Sequence, residues 1–350
     1  MKLNLTRASL PFHIPFTISG GRTKSEQETL IVMLEKDGFQ GFGEAPAIRY
    51  YQISLESLME KALSKRSEIE AFNDSSPYAF NELLNNLFPE DSFLRCALDT
   101  AFWDLQARIN GTSAAGLAGL PLPASVSCDY TIGIDTADTM LQKMNNLPWP
   151  VYKIKVGFEG DAELFNMLCK QSNAQFRLDA NAAWTVNEAN SFLNTVDISR
   201  IEFTEQPLKK ELIEDMKSLQ SHTGMLFIAD EDFRTIDDLD RCEGRFGGIN
   251  IKLTKCGGIT PALQIAEEAR KRGFKIMLGN MNESTIGTWA LLQVSSMADF
   301  IDADGPLLLK GDYASGLEYR DGKVFIPPKA ESITASAGLL NCFTNAGTRL

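Results

Sequence analysis

The stretch VYKIKVG at residues 151–157 is a short apolar strand that carries two lysines, Lys153 and Lys155, at alternate positions. Six more apolar strands follow along the chain, and each one ends in a polar side chain. In chain order these side chains are Asp179, Glu205, Asp230, Lys252, Asn280 and the pair Asp302 and Asp304. They recur every 22 to 28 residues, the length of one strand, one helix and two loops. A (β/α) barrel carries its chemistry at the carboxyl ends of its strands, so this spacing predicts an enzyme.

The composition narrows the functions open to this chain of 350 residues. Its net charge is −12, so nucleic acid and anionic membranes are poor candidate partners. Its six cysteines are far apart and form no CxxC motif, which is typical of reduced residues in a cytoplasmic protein. The N-terminus lacks the apolar segment of a signal peptide, and no apolar run is long enough to span a bilayer. We therefore expect a small-molecule substrate, with a homo-oligomer left open.

Length and pattern predict an α/β protein with three segments. They are an α+β capping domain with its joining helix at 1–120, a (β/α)8-type barrel at 121–305, and a C-terminal segment at 306–350 that returns to the capping domain. The predicted barrel strands are 126–132, 151–156, 175–179, 201–205, 225–230, 248–252, 275–279 and 300–304. Helical patterns lie between them at 186–195, 209–220 and 260–272. No such pattern follows the eighth strand, so we expect the last barrel helix to be missing.

Within the capping domain, Asp37-Gly38 lies between two alternating stretches and predicts a tight β-hairpin. Helical spacing predicts helices at 54–72, 76–86 and 92–109. A loop at 18–27 is rich in glycine and polar residues. Because the C-terminal segment should bring the capping domain over the barrel mouth, we expect this loop to act as a lid.

Asp179, Glu205 and Asp230 end three consecutive strands, which are neighbours in a barrel. Converging carboxylates repel one another unless a cation holds them, and a set of oxygen ligands favours Mg²⁺ over zinc. Any one of these acids alone would read as a surface residue at a helix N-terminus. Three in succession predict a Mg²⁺ site.

Lys153 and Lys155 share one face of their strand. A solvated edge strand is the usual setting for such a pair, but this strand is apolar and lies between two others. Two neighbouring ammonium groups, with Mg²⁺ close by, lower each other's pKa, which makes a lysine available as a base. Lys252 ends the sixth strand, opposite the second, so it would face Lys155 across a central substrate. Lys255 is the alternative residue at this position.

Asp302 and Asp304 share a face at the end of the eighth strand, opposite the predicted metal, although a solvated Asp-x-Asp turn is the alternative interpretation. Together the predicted groups suit one reaction. The metal binds a substrate carboxylate, two lysines remove and return an α-proton on opposite faces, and the paired aspartates bind a distant ammonium group.

The chain resembles the enolase superfamily, in particular the dipeptide epimerases of its muconate-lactonizing subgroup, typified by L-Ala-D/L-Glu epimerases. The resemblance covers nearly the whole chain and rests on GFGEAP, ALDTAFWDL, KIK, DANAAW, EQP, ADE, NIKLTKCGGI, MLGNMNES and DADGP. It implies Mg²⁺ ligands at Asp179, Glu205 and Asp230, and acid/base lysines at Lys155 and Lys252. It also implies that Lys153 acts as an electrophile at the substrate carboxylate. The substrate ammonium would bind to Asp302 and Asp304.

The sequence departs from the glutamate-specific pattern at three places. Where an arginine in the capping loop would grip a glutamate side chain, the loop offers Arg22 and Lys24, and Lys24 is the positional equivalent. Lysine lacks the bidentate fork of arginine. Asp232 stands in ADED where a serine is usual, and Asn282 is a polar variant in the GNMNES loop. Further expected substrate contacts are Thr131, Met281 and Asn282.

These departures favour an epimerase of L-Ala-Xxx dipeptides with small or apolar Xxx. A murein-peptide L-Ala-D/L-Glu epimerase is the first alternative. An o-succinylbenzoate synthase or N-succinylamino acid racemase is the second, but neither has a substrate ammonium for the two aspartates to bind, and muconate cycloisomerase is disfavoured for the same reason. A non-catalytic peptide-binding barrel should have lost a ligand or a base, and all are present.

Overall fold

The computed structural model describes residues 1–18 and 22–346. Its N-terminal part is an antiparallel sheet in the order β1-β2-β3, formed by β1 (Lys2–Ile18), β2 (Arg22–Lys36) and β3 (Phe39–Pro46). Asp37 and Gly38 connect β2 to β3 with φ angles of 52° and 82°. Two successive positive φ angles are typical of a type I′ turn, whose twist matches that of the strands. The predicted hairpin is confirmed.

The β1–β2 hairpin replaces most of the predicted loop at 18–27. Residues 22–27 belong to β2, and Lys24 pairs with Phe16 of β1. The loop prediction is therefore wrong for these residues, while residues 19–21 lie outside the described part of the chain. Residues 22–27 are all polar, so composition alone indicated a loop although they pair with the preceding strand.

Four helices complete the N-terminal part: α1 (Leu55–Ser64), α2 (Arg66–Glu70), α3 (Pro77–Leu87) and α4 (Ser92–Ile109). The helix predicted over 54–72 is two helices, because Lys65 leaves helical geometry with φ −115° and ψ 15°. α4 matches its predicted bounds and packs on β3. A Cβ at Gly41 or Gly43 would overlap backbone carbonyl oxygens of α4, so these glycines allow the close approach.

Eight parallel strands form the second sheet, in sequence order, so the predicted α/β barrel class is confirmed. They are β5 (Tyr130–Ile132), β6 (Val151–Lys155), β7 (Gln175–Asp179), β8 (Ile201–Glu205), β9 (Phe227–Ala229), β10 (Gly248–Ile251), β11 (Lys275–Leu278) and β12 (Phe300–Ile301). Among the described residues no strand pairing closes β12 onto β5. Instead the Thr131 backbone N–H donates to Asp304 Oδ2 at 2.6 Å across this seam.

The first predicted barrel strand, 126–132, is two strands. β4 (Ser125–Ser127) pairs with a strand of the C-terminal segment, and only β5 belongs to the barrel. The Cys128 N–H donates to Gly322 O at 2.9 Å, so the chain leaves the outer sheet at Cys128 and enters the barrel after Asp129. The sequence between these strands has no turn signal, so this break was not predicted.

The remaining helices begin with α5, which precedes the first barrel strand, and the others lie between barrel strands. They are α5 (Ala114–Leu117), α6 (Ala137–Asn146), α7 (Asp161–Gln171), α8 (Val186–Thr195), α9 (Ile213–Thr223), α10 (Leu239–Cys242), α11 (Leu253–Cys256), α12 (Ile259–Lys271) and α13 (Thr285–Leu292). Only the four-residue helix α14 (Gly305–Leu308) follows β12 directly, in agreement with the missing last helix. None of the described helices combines the length and apolar character of a membrane span.

The C-terminal segment contacts the N-terminal sheet. It contains β13 (Ala314–Ser315), β14 (Glu318–Arg320), β15 (Lys323–Phe325), β16 (Thr334–Ala335) and α15 (Ala337–Ala346). Lys310 N donates to Pro11 O at 2.7 Å, and Phe12 of β1 packs with Leu308 and Leu309. These contacts fix the β1–β2 hairpin to the chain that directly follows Asp304, at the carboxyl end of the barrel.

Candidate active site

Strand register places the charged side chains of the barrel in rows. Lys155 pairs with Asp179, and Asp179 pairs with Glu205, on neighbouring parallel strands. Asp230 and Lys252 follow the next two strands, and all five side chains are buried. We call Asp179, Glu205 and Asp230 the acid row. The structure brings the acid row and the predicted lysines to one end of the barrel.

Each carboxylate of the acid row contacts a lysine ammonium. Lys155 Nζ donates to Asp179 Oδ2 at 2.5 Å, and Lys252 Nζ donates to Asp230 Oδ2 at 2.8 Å. Lys153 Nζ lies 2.8 Å from Glu205 Oε2 and 3.5 Å from Asp179 Oδ2. The sheet order places Lys155 on β6 and Lys252 just after β10, four strands apart in an eight-stranded sheet. Lys155 and Lys252 therefore approach the acid row from opposite walls.

These ion pairs control the ionisation of the site. Burial lowers the pKa of Lys153, but Asp302, Glu205 and Asp179 outweigh burial and hold this pKa well above its ordinary value. Burial also opposes the charge of Lys252, yet Asp230 raises the net pKa of that lysine. In the absence of a cation, the carboxylates around Lys153 therefore act more strongly on its pKa than the neighbouring lysine does.

Lys255 is also part of the site, although the sequence indicated only a minor role for it. It lies in α11, is buried, and donates to Asp230 Oδ1 at 2.5 Å and to Phe233 O at 2.8 Å. Lys252 contacts the other carboxylate oxygen of Asp230. Lys255 thus fixes the orientation of Asp230 and leaves the second oxygen to Lys252.

A second acidic cluster lies across the barrel from the acid row. Asp302 Oδ2 accepts from Lys153 Nζ at 2.8 Å, and Asn280 Nδ2 donates to Asp302 Oδ1 at 2.6 Å and to Asp304 Oδ1 at 3.2 Å. Burial and the neighbouring Asp302 raise the pKa of Asp304 to about 7. The two predicted aspartates are therefore close together, with Asn280 bridging them.

Asp129 completes this cluster, and the sequence argument did not identify it. Oxygens of Asp129, Asp302 and Asp304 all lie within 4.8 Å of one another, and we call these residues the acid trio. Arg177 Nη1 donates to Asp129 Oδ2 at 2.9 Å. The sequence did contain a signal for Asp129 and Arg177. Asp129 precedes Thr131 by two residues and Arg177 precedes Asp179 by two, so each shares a strand face with a predicted site residue.

Two further groups near the acid row were not predicted. Tyr51, in a 3₁₀ turn of the capping domain, lies near enough to Asp230 and Lys252 to sense their charges, and burial followed by Asp230 raises its pKa. Burial and Asp230 raise the pKa of Glu231 to about 8. No motif identified Tyr51. Glu231 adjoins a predicted ligand in ADED, which was the available signal.

The remaining predicted substrate contacts have mixed surroundings. Thr131 is buried and its N–H binds Asp304. Asn282 has a φ of 66°, a left-handed conformation that asparagine adopts more readily than most residues, and Met281 packs against the core of the capping domain. Lys24 is half-buried and donates to Gln27 Oε1 at 3.2 Å. The side chain of Arg22 lies outside the described residues.

Asp232, one of the departures noted in the sequence, serves the protein's own loop structure. Gln206 Nε2 donates to Asp232 Oδ2 at 2.7 Å, and Arg241 Nη2 lies 3.0 Å from Asp232 Oδ1. Asp232 is buried and holds the loops that follow β8 and β9 together. Its presence therefore has no direct bearing on substrate preference.

The acid row fits a hard divalent cation by ligand type. Adjacent strands supply three buried carboxylates, and Glu205 Oε2 receives no well-directed hydrogen bond although Lys153 Nζ is 2.8 Å away. Such an unmatched oxygen acceptor suits Mg²⁺. Among the described residues, however, the acids gathered within 4.8 Å are the acid trio rather than the acid row. The two clusters are thus rival cation sites on geometry alone, and Arg177 already neutralises part of the trio.

Two family models match this chain. The mandelate racemase / muconate lactonizing enzyme N-terminal domain matches residues 2–119, and the enolase C-terminal domain-like model matches residues 135–330. The two models together span the antiparallel sheet and nearly all of the barrel.

Similar proteins of known activity cover almost the full chain. An L-Ala-D/L-amino acid epimerase from Flavobacterium johnsoniae is 40% identical, over 93% of this chain and 96% of its own. The L-Ala-D/L-Glu epimerase of Escherichia coli is 32% identical, over 90% of this chain and 97% of its own. A solved dipeptide epimerase from Enterococcus faecalis, complexed with Mg and L-Leu-L-Tyr, is 26% identical with a TM-score of 0.89, over 95% of this chain and 99% of that chain.

Proposed function

This chain belongs to the family of mandelate racemases and muconate lactonizing enzymes in the enolase superfamily, and we propose that it is a Mg²⁺-dependent dipeptide epimerase. It inverts the α-carbon of the second residue of L-Ala-Xxx dipeptides. In this proposal residues 1–120 form the capping domain, 121–305 the catalytic barrel and 306–350 the segment that ties them together. The described cysteines are free, and we place the enzyme in the cytoplasm.

The observation that carries the proposal is the placement of Lys155 and Lys252 on opposite walls, each against the acid row. A carbon held between them presents a different face to each lysine. One lysine, as the amine, removes the α-proton, and the other, as the ammonium, delivers a proton to the opposite face. The configuration inverts and no other bond changes. We assign Lys153 to the substrate carboxylate, because its Nζ lies between the acid row and Asp302.

We assign the acid row, Asp179, Glu205 and Asp230, as the Mg²⁺ ligands. Mg²⁺ bound there supplies positive charge that offsets the charge developing on the substrate carboxylate, and it competes with the lysines for the carboxylates. The unmatched Glu205 Oε2 supports this choice, as does the magnesium in the Enterococcus faecalis relative. Lys255 then keeps Asp230 oriented for the cation.

Asp302 and Asp304 favour a dipeptide over an N-acylated amino acid. Among the described residues, their buried carboxylates contact Lys153, Asn280 and Thr131, so the cluster is rich in acceptors and poor in cations. A free α-ammonium supplies the missing positive charge and three N–H donors. An N-succinyl group would bring a further carboxylate to the same place and be repelled.

We propose that the second residue is broadly selected, with small or apolar Xxx preferred over glutamate. Lys24 offers a point charge where a glutamate-specific site gains from an arginine fork. The relative named for amino acids in general is more similar to this chain than the relative named for glutamate, at 40% against 32% identity. Thr131, Met281 and Asn282 complete the proposed contacts.

Deuterium incorporation tests the proposal directly. The enzyme with Mg²⁺ is incubated in D₂O with a panel of L-Ala-Xxx dipeptides, and the exchange of the second α-proton and the formation of the epimer are followed by NMR. We expect exchange and inversion for apolar Xxx. A panel in which no dipeptide exchanges, while an N-succinylamino acid does, would establish the racemase alternative.

A further inference from the structure

The acid trio is more acidic than its surroundings can neutralise. Asp302 contacts Lys153, Asp129 contacts Arg177, and the three carboxylates lie within 4.8 Å of one another. Both cations are shared: Lys153 also lies 2.8 Å from Glu205, and Arg177 Nε donates to Glu202 at 2.7 Å. Three fully ionised carboxylates would therefore leave at least one uncompensated negative charge in a buried site, which is strongly unfavourable.

Asp129 carries the clearest sign that the trio lacks a partner. It is fully buried, and Arg177 engages only its Oδ2. Its Oδ1 has no hydrogen-bond partner among the described residues. A buried carboxylate oxygen without a donor is costly, so a proton or a cation is needed close to it.

Apart from Lys153 and Arg177, no group that faces the trio among the described residues supplies that charge. These other groups are Cys128, Tyr130 and Tyr319. Burial raises the pKa of the Cys128 thiol, and burial also raises the pKa of the Tyr319 hydroxyl, so both are neutral near pH 7. Burial and Asp302 raise the pKa of Asp129 well above its ordinary value, and that of Asp304 reaches about 7. Both directions agree with a proton held within the trio.

We propose that the acid trio holds one proton when the site is empty and releases it when the dipeptide ammonium binds at Asp302 and Asp304. This inference rests on the proposed function, because it needs an ammonium substrate. The exchange balances: the trio gives one proton to solvent and gains the R–NH₃⁺ group, and no covalent bond of the substrate changes. Asp129 is a positioning residue in this scheme, since its carboxylate adds to the negative charge that holds the proton in the trio.

The exchange predicts how binding depends on pH. Below about pH 7 the trio is protonated and the ammonium must displace that proton, so the apparent affinity falls about tenfold per pH unit as the pH decreases. Above about pH 7 this dependence ends. Binding of the ammonium form can be compared only below about pH 8, because the α-amino group of the dipeptide loses its own charge there.

Asp129→Asn removes the third carboxylate and keeps an amide that fits beside Arg177. Two carboxylates then remain beside Lys153, so the empty site carries less negative charge and holds its proton less tightly. We expect this variant to bind the dipeptide with a pH dependence that is weaker than that of the wild type between pH 5.5 and 7.5 and is displaced to lower pH. A role of Asp129 in folding alone would alter the amount of active protein but would leave the pH profile unchanged.

Calorimetry of the Mg²⁺-loaded enzyme measures the proton count. L-Ala-L-Val pre-equilibrated with L-Ala-D-Val is titrated in two buffers of different ionisation enthalpy, so that turnover adds no net heat. For the wild-type enzyme we expect release of close to one proton per site near pH 6 and almost none near pH 7.5. Asp129→Asn should release clearly less than the wild type near pH 6 and almost none near pH 7.5. Glu44→Gln is the matched control, because burial raises the pKa of Glu44 to about 7 in a different place, and it should match the wild type.

Two outcomes would overturn the inference: binding without proton release by the wild type near pH 6, or release by Asp129→Asn equal to that of the wild type. If Asp129→Asn does not fold, the number of protons that the wild type releases on binding near pH 6 and near pH 7.5 still tests the inference. A wild-type enzyme that neither binds nor epimerises any dipeptide would contradict the proposed function instead.

Discussion

The barrel mouth and the β1–β2 hairpin are held in place by different forces. At the mouth, Lys153, Lys155 and Lys252 each lie within 2.8 Å of a buried carboxylate, so charge fixes each lysine proposed to act in the reaction. The hairpin is held by backbone pairing and by a small apolar contact around Phe12, and its Lys24 has Gln27 as a partner. The difference leads us to assign the proposed reaction and the choice of side chain to separate elements. Changes at the mouth should affect every substrate, whereas changes in the hairpin should affect only some.

The largest expected effect comes from the two opposed lysines. Lys155→Ala and Lys252→Ala should each reduce kcat for epimerisation by at least about 10³-fold, because each removes one proton carrier from one face. Each variant should still exchange the α-proton of the single epimer that faces its remaining lysine. NMR in D₂O with each pure epimer measures both effects.

Lys217→Ala is the control, since it removes an exposed lysine of α9 and should behave as the wild type. Normal epimerisation by Lys252→Ala would show that Lys255 or a one-base route carries the second proton. Substitutions at the barrel mouth would then be tolerated, whereas we expect such tolerance only in the hairpin.

Blocking the substrate ammonium should have the next largest effect. N-acetylation of a good dipeptide removes the charge that Asp302 and Asp304 are proposed to bind, and it leaves buried carboxylates without that partner. We expect kcat/KM to fall roughly 10²-fold. Equal turnover of blocked and free dipeptide would favour an N-acylamino acid racemase. It would also show that Asp302 and Asp304 do not bind a substrate ammonium.

The two acidic clusters can be separated by their effects on metal affinity. Asp230→Asn should weaken Mg²⁺ binding by at least about 10- to 100-fold, the loss seen even for outer partners of metal ligands. Asp304→Asn should leave Mg²⁺ affinity unchanged and raise KM. Calorimetric titration with Mg²⁺ distinguishes the two variants. The reverse result would place the cation at the acid trio.

The sequence predicted the mouth well because its signal is local. A polar residue at each strand end, spaced by one strand–helix unit, requires only an eight-stranded barrel to bring Lys155, Asp179, Glu205, Asp230 and Lys252 together. The lysine pKa values were not predictable in this way. They depend on distances between side chains on different strands, such as the 2.8 Å between Lys153 and Asp302.

The sequence failed where pairing between segments decides the structure. Asp129 was missed because its partner Arg177 lies on another strand, so no local pattern marked it. Residues 22–27 read as a loop because they are all polar, although they pair with the preceding strand β1. The missed residues thus lie where the chain changes partners, whereas the predicted ones lie at regular strand ends.

The smallest expected effect concerns Lys24 in the hairpin. Lys24→Ala should change kcat/KM for L-Ala-L-Val or L-Ala-L-Leu by less than about threefold, because an exposed or half-exposed lysine contributes little to the binding of an apolar group. For L-Ala-L-Glu the loss should be larger, since a lysine paired with a carboxylate contributes charge even without an arginine fork. Lys36→Ala, at the other end of β2, is the matched control and should change neither value. A kinetic panel over both variants measures the ratio of kcat/KM for apolar dipeptides to kcat/KM for acidic dipeptides.

If the wild type prefers L-Ala-L-Glu at least tenfold over every apolar dipeptide, the hairpin selects glutamate, and the murein-peptide function replaces the broad one. If Lys24→Ala instead slows all dipeptides equally, the hairpin belongs to the reaction itself, and the division between mouth and hairpin is wrong.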